Sequence, residues 1–328
     1  MKTTGKGIKV QRRQFLQATA AATLGVSSYG FGQVCLPKVG TVRDRLWVFC
    51  NPRNADYEYV RQRSVMSPLE SAVYFGVPNI LMVNEYPPSK EQGVRFYPGP
   101  APLYKLPDKE GWYRPFEPPF KQYAIPLKVL KRVAWSIVDA GGVTKEWERK
   151  QVLDMALHTP NFVGVYMDDF FHDKPGPGAA LTVDQLRAVQ RQLKGSGKRL
   201  DLYVTFYTHF LHQPFSVYLN LIDVICLWTS YVKDLANLDT NLTLLEKLAP
   251  KSRKMLGLYT AAYDPKRIAW WTGMPVPDME HQCDVALRLL RAGRIEGIII
   301  YGCTTTDLGW ESVAWTREWV QRVGDTKL

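Results

Sequence analysis

The sequence predicts an α/β chain closed as a single (β/α)8 TIM barrel over residues 33–328, behind a removable leader at residues 1–32. Three observations carry this. Eight short runs rich in Val, Ile, Tyr and Phe recur between turn residues. Amphipathic stretches lie between most of them, the alternation that builds a parallel sheet. Neither G-x-G-x-x-G nor G-x-x-x-x-G-K occurs, so an open doubly wound sheet lacks the phosphate loop that would recommend it. About 296 residues also suits one barrel.

The strand candidates, in order, are Leu46–Cys50, Asn79–Asn84, Arg132–Val138, Phe162–Met167, Leu200–Phe206, Val224–Trp228, Met255–Thr260 and Gly297–Tyr301. Helical stretches follow at Ser67–Phe75, Glu146–His158, Thr182–Leu193, Leu235–Leu248, Asp278–Ala292 and Glu311–Val323. Thr182 with Gln185 three residues on reads as a capping box. The helical period is clearest in Val285, Leu287, Leu289 and Leu290. After strand two the chain runs through a Pro-rich insertion, Pro87–Pro126, with a short helix predicted near Tyr123–Leu130. After strand five only Phe215–Leu221 is available as a helix.

The leader has three parts. Lys2, Lys6 and Lys9 precede Arg12-Arg13-Gln14-Phe15-Leu16 with no acid among them. A weakly apolar run, Ala18–Val26, follows, and Gly30-Phe31-Gly32 supplies a small-residue exit with cleavage after Gly32. The apolar run is shorter than the roughly 20 residues a bilayer needs, so no stable membrane span is expected after cleavage. The arginine pair followed by x-Phe-Leu resembles the twin-arginine signal family. That resemblance implies passage through the twin-arginine export machinery and a periplasmic or secreted mature protein.

Charge excludes one class of partner. The leader holds five of the basic residues and no acid, so the mature chain falls from a net +11 to about +6. The excess is spread out, with no basic stripe and interleaved aromatics, and nucleic acid is not expected as a partner. The five cysteines, 35, 50, 226, 283 and 303, show no CxxC spacing, and their odd number argues against a full disulfide framework. Five histidines, at 158, 172, 209, 212 and 281, form no His/Cys cluster. No metal and no other cofactor is expected.

In a barrel, chemistry sits where the strands end. The residues there are Asn51, Glu85, Asp139, Asp168, Asp169, Tyr207, His209, Trp228, Ser230, Tyr259, Tyr263, Asp264, Tyr301 and Asp307. Acids handle sugar hydroxyls and the glycosidic oxygen, and aromatic faces stack on the C–H face of a sugar ring. Alternation sorts the fourth strand: Val163, Val165 and Met167 face the helices, while Gly164, Tyr166 and Asp168 face inward. On the fifth, Asp201, Tyr203, Thr205 and Tyr207 face inward. Asp168 is therefore the first catalytic candidate. Glu85 is the first choice for a second carboxylate, with Asp169 and Asp264 behind it. Asn51, Tyr207, His209, Trp228, Tyr259, Tyr263, Asp264 and Tyr301 are the substrate-binding candidates.

The run Asn161-Phe162-Val163-Gly164-Val165-Tyr166-Met167-Asp168-Asp169-Phe170-Phe171, with Trp135-Ser136-Ile137-Val138, resembles the glycosidase-like (β/α)8 barrels of exported bacterial proteins. The resemblance implies a carbohydrate substrate, glycosidic-bond hydrolysis and a catalytic role for the fourth-strand acid. No D-x-x-D-x-D-x-E run is present, which argues against a chitinase-like site. Two alternatives share the barrel: a metal-dependent sugar isomerase or epimerase, and a non-catalytic carbohydrate-binding protein.

Overall fold

The computed structural model describes residues 40–52, 55–83, 116, 120–138, 146–173, 176, 178–195, 197–263 and 271–328. The leader, most of the Pro-rich insertion, Glu85, Asp139 and Asp264 lie outside the described residues. Eight strands, β1 (Leu46–Cys50), β2 (Asn79–Met82), β3 (Arg132–Ser136), β4 (Phe162–Met167), β5 (Asp201–Tyr207), β6 (Val224–Trp228), β7 (Arg253–Leu258) and β8 (Gly297–Tyr301), pair in the order β1-β8-β7-β6-β5-β4-β3-β2 and close into a barrel. Every neighbouring pair is parallel. Each expected run supplies one strand, and the runs that differ do so at their ends. β5 and β7 start and stop within two residues of expectation, and β2 and β3 finish two residues early.

The helices form where caps and period agree. α1 (Pro68–Phe75) begins at Ser67, which exchanges a capping box with Glu70, and stops at Gly76 with φ 67°. α2 is Glu146–His158. α3 (Val183–Gly195) begins at the expected box: Gln185 N–H donates to Thr182 Oγ1 at 3.2 Å, and Thr182 N–H to Gln185 Oε1 at 2.8 Å. α4 (Leu238–Leu248) starts three residues later than its period implied, because Val232–Asn237 winds as a 3-10 turn. α5 (Val276–Arg291) and α6 (Glu311–Val323) follow, and the two short expected helices are single turns, Ala124–Leu127 and Ser216–Leu219. Among the described residues no helix is long and apolar enough to cross a membrane.

The wall separates two cores. Outside, Val165, Met167, Leu202, Val204 and Phe206 pack with helix residues such as Leu186, Leu242 and Leu289. Inside, Trp47, Phe49, Tyr166, Tyr203, Cys226, Trp228, Met255 and Tyr301 fill the barrel. Two inward glycines make room for them. A Cβ at Gly164 would lie 2.5 Å from the Tyr203 ring, and one at Gly257 2.2 Å from the Trp228 ring. Two residues depart from simple alternation. The β3–β4 register shifts between Val133 and Ala134, so Phe162 joins the outer core and Val163 packs against the inner one. A bulge of this kind reverses which face a residue meets.

Candidate active site

Alternation delivers the first acid to the mouth. Tyr166 belongs to the inner cluster, so Asp168, two residues on, emerges on the same side. It lines a cavity of about 570 Å³. A continuing strand would send Asp169 outward. Its φ is instead 45°, a left-handed conformation that Asp tolerates better than most residues. The chain turns there, and Asp169 lines the same cavity. Backbone held in that region costs about 1–3 kcal/mol and is concentrated at working sites.

The polar face of β5 holds both acids. Thr205 Oγ1 donates to Asp168 Oδ1 at 2.6 Å, and Tyr166 OH donates to the same oxygen at 3.3 Å. The Tyr166 and Thr205 hydroxyls also bond each other. Tyr207 OH donates to Asp169 Oδ1 at 2.9 Å. Burial, then the charge of Asp169, push Asp168 up to about 8. Burial raises Asp169 as well. Two like charges this close hold on to a proton between them, so the pair keeps one to higher pH than a lone carboxyl would.

Aromatic rings form the rest of the wall. Tyr301 stacks on Phe49 with centroids 5.1 Å apart and lies 5.2 Å from Tyr259, which in turn lies 4.8 Å from Trp228. At the rim Tyr59 stacks on Trp271 at 5.3 Å, and Tyr231 lies 5.4 Å from Tyr263. His209 stacks on Tyr207 at 5.5 Å, and burial keeps it below its ordinary pKa, which favours the neutral ring. Trp228 Nε1 and Asn51 Oδ1 are buried with no protein partner, polar atoms of a kind native proteins rarely leave unmatched.

Of the sequence candidates, Asn51, Asp168, Asp169, Tyr207, His209, Trp228, Tyr259, Tyr263 and Tyr301 all line this one cavity, as does Ser230. Asp307 does something else: it accepts the Val65 N–H at 2.7 Å. Among the described residues no group of three or more His, Cys, Asp or Glu is placed to hold a metal ion.

No family model matches this sequence, and no curated protein does. Solved structures do. The chain is similar to a protein from Bacteroides thetaiotaomicron VPI-5482 named as an alpha-L-fucosidase, with a TM-score of 0.54 and 14% identity over 92% of this chain and 99% of that one. A thermostable chitinase from Pyrococcus furiosus gives a TM-score of 0.48 at 12% identity, over 80% of this chain and 85% of that one. Tryptophan synthase from M. tuberculosis gives 0.46 at 11%, over 86% and 94%. What the Bacteroides structure shares with this chain is the barrel. A fold of this kind hosts many unrelated activities, so the argument for function rests on the site.

The sequence reading missed Asp56, Tyr59, Tyr231 and Trp271, all of which line the cavity. Asp56 precedes the short helix Tyr57–Val60 in the loop after β1. Its Oδ2 accepts from Tyr301 OH at 2.7 Å and from Thr304 Oγ1, and its Oδ1 from Asn51 Nδ2 at 3.3 Å. Asn51 Nδ2 also donates to Tyr301 OH at 3.1 Å. The one sequence signal for Asp56 was its position shortly after a strand end.

Proposed function

We propose that this chain is an exported glycoside hydrolase in which Asp168 is the general acid. One observation carries the reading: a part-buried carboxyl, pushed up to about 8 by desolvation and by Asp169, faces an aromatic-lined cavity at the end of β4. Hydrolysis of a glycosidic bond needs a proton delivered to the leaving oxygen. Asp168 holds that proton at neutral pH, and Thr205 and Tyr166 fix the oxygen that does not give it up. The rings of Trp228, Tyr259 and Tyr301 offer flat faces to the C–H side of a sugar.

The test is turnover of aryl glycosides by the purified mature chain, across a panel that includes alpha-L-fucosides, the sugar in the name of the Bacteroides barrel. Release of the aryl alcohol from at least one glycoside is expected. Sugar binding with no turnover anywhere on the panel would instead favour a non-catalytic carbohydrate-binding barrel.

The proposal includes the route out of the cytoplasm. The pair Arg12-Arg13 before Gln14-Phe15-Leu16 is the part of the leader a twin-arginine translocase would read. Arg12→Lys with Arg13→Lys should therefore leave active protein in the cytoplasm. Normal periplasmic accumulation of that double variant, measured by fractionation, would reject this route.

A further inference from the structure

We infer that Asp56 is the second carboxylate of the reaction, the base that faces Asp168 across the cavity; this rests on the glycoside-hydrolase reading. Glycoside hydrolysis ordinarily uses two carboxyls on opposite sides of the scissile bond. Asp168 and Asp169 cannot supply both, because they leave the barrel together at the end of β4 and line one side. Asp56 is the remaining carboxylate among the described residues of the lining. It is tied to Tyr301, which ends β8, and to Thr304 just beyond. In the barrel order β8 stands four steps from β4 in either direction, which is the opposite wall.

The two environments also differ in the way an acid and a base require. Asp168 is part-buried beside a like charge, with its hydroxyl donors on one oxygen only. Asp56 is buried and accepts from two hydroxyls and an amide through both of its oxygens. Paired carboxyls held in contrasting surroundings are how one site runs acid and base chemistry at a single pH. Tyr259 lines the same cavity, and burial, then the charges of Asp168 and Asp169, with Asp56 also contributing, raise its hydroxyl above its usual range.

The step balances as follows. A water loses a proton to Asp56 while its oxygen bonds to the anomeric carbon. The bond from that carbon to the glycosidic oxygen breaks, its electron pair going to the oxygen, and Asp168 delivers its proton there. Asp56 ends protonated and Asp168 ionised, and exchange with solvent resets both. A gap wide enough for the attacking water gives inversion at the anomeric carbon.

The experiment uses the aryl glycoside that the wild type hydrolyses best, with Asp56→Ala, Asp56→Asn and Glu85→Ala. Asp56→Ala should turn over about a hundredfold slower or worse. Azide should restore turnover and appear in the product as a glycosyl azide of inverted configuration, read by NMR. Asp56→Asn keeps an acceptor oxygen for its neighbours, and its residual activity should lose the acidic limb of the pH profile while keeping the alkaline one. Asp56→Asn folded with more than a tenth of wild-type turnover would overturn the inference. So would a slow variant with both limbs intact, which is the signature of a positioning residue. Azide rescue of Glu85→Ala rather than Asp56→Ala would give the role to Glu85, and a retained product anomer from the wild type would exclude a base acting through water. A wild type inactive on every glycoside is a separate result, visible before any variant is made, and it removes the hydrolase reading and the assignment of Asp56 together.

Discussion

Asp168→Asn should lower turnover of a glycoside by about 10²- to 10⁴-fold, the usual contribution of a positioned general acid, and the melting temperature should not fall. The amide keeps an oxygen to accept from Thr205 Oγ1, so the local hydrogen bonding survives. It has no proton of suitable acidity to deliver. The stability argument follows from the direction of the shift. Burial and Asp169 push Asp168 up to about 8, above its value in the unfolded chain, so the wild type is most stable where this carboxyl is protonated and loses stability as pH rises toward 8. Asparagine carries no such cost. At pH 7 the variant should melt at or above the wild-type temperature by differential scanning calorimetry. The wild-type rate should in turn fall as pH rises through about 8, because only the protonated acid works. A variant that melts well below wild type would make Asp168 a structural cap. One that stays fully active would move the acid elsewhere.

How much of this site could be read from the sequence depends on where each residue sits. Asp168 was legible because a strand imposes a two-residue period, and Gly164 and Tyr166 mark its inner face. The polar set on β5 was legible for the same reason, and Thr205 and Tyr207 are the groups that hold the two acids. Asp169 was harder. Alternation alone sends it outward, and only its left-handed backbone returns it to the cavity. Loops have no period. Asp56, Tyr59 and Trp271 reach the mouth through tertiary contacts with Tyr301, Thr304 and Tyr259, and beyond the nearness of Asp56 to a strand end nothing local in the sequence announces them. Val163 shows the opposite failure, where a regular pattern was trusted across a bulge that one residue of slippage creates.

The barrel explains why these loop residues can serve one reaction. Eight parallel strands end at one rim, so side chains distant in sequence converge there without long connections. Tyr301 reaches Asp56 across 245 residues, and Thr205 reaches Asp168 across 37. The inner core beneath them is aromatic and tightly filled, with Trp228 lying against Gly257. Rigid packing of this kind holds catalytic groups to the tolerance that proton transfer demands. The opposite end of the barrel carries charge instead, and its role is stability.

At that end Arg253→Met should destabilise the fold by about 3 kcal/mol, the lower part of the range for breaking a buried ion pair. Arg253 NH1 donates to Glu296 Oε2 at 2.9 Å and NH2 to Asp201 Oδ2 at 2.5 Å. Arg253 is itself about a third exposed, but the Glu296 side chain is only 9% exposed, so it is the glutamate that would be left charged and dry. Arg132 also faces Glu296 and keeps part of the compensation, which is why the low end of the range applies. The sign of the pH dependence is fixed by burial, which already raises Glu296 above its ordinary value despite Arg253. Removing the guanidinium raises it further, so the variant recovers stability as pH falls and Glu296 takes up a proton. Adding Glu296→Gln to Arg253→Met should restore much of the loss, because the orphaned charge is gone. Denaturant midpoints of the two single variants and the double variant measure this coupling directly. A loss below about 1 kcal/mol for Arg253→Met, with no recovery in the double variant, would mean that the cluster behaves as an ordinary solvent-exposed pair.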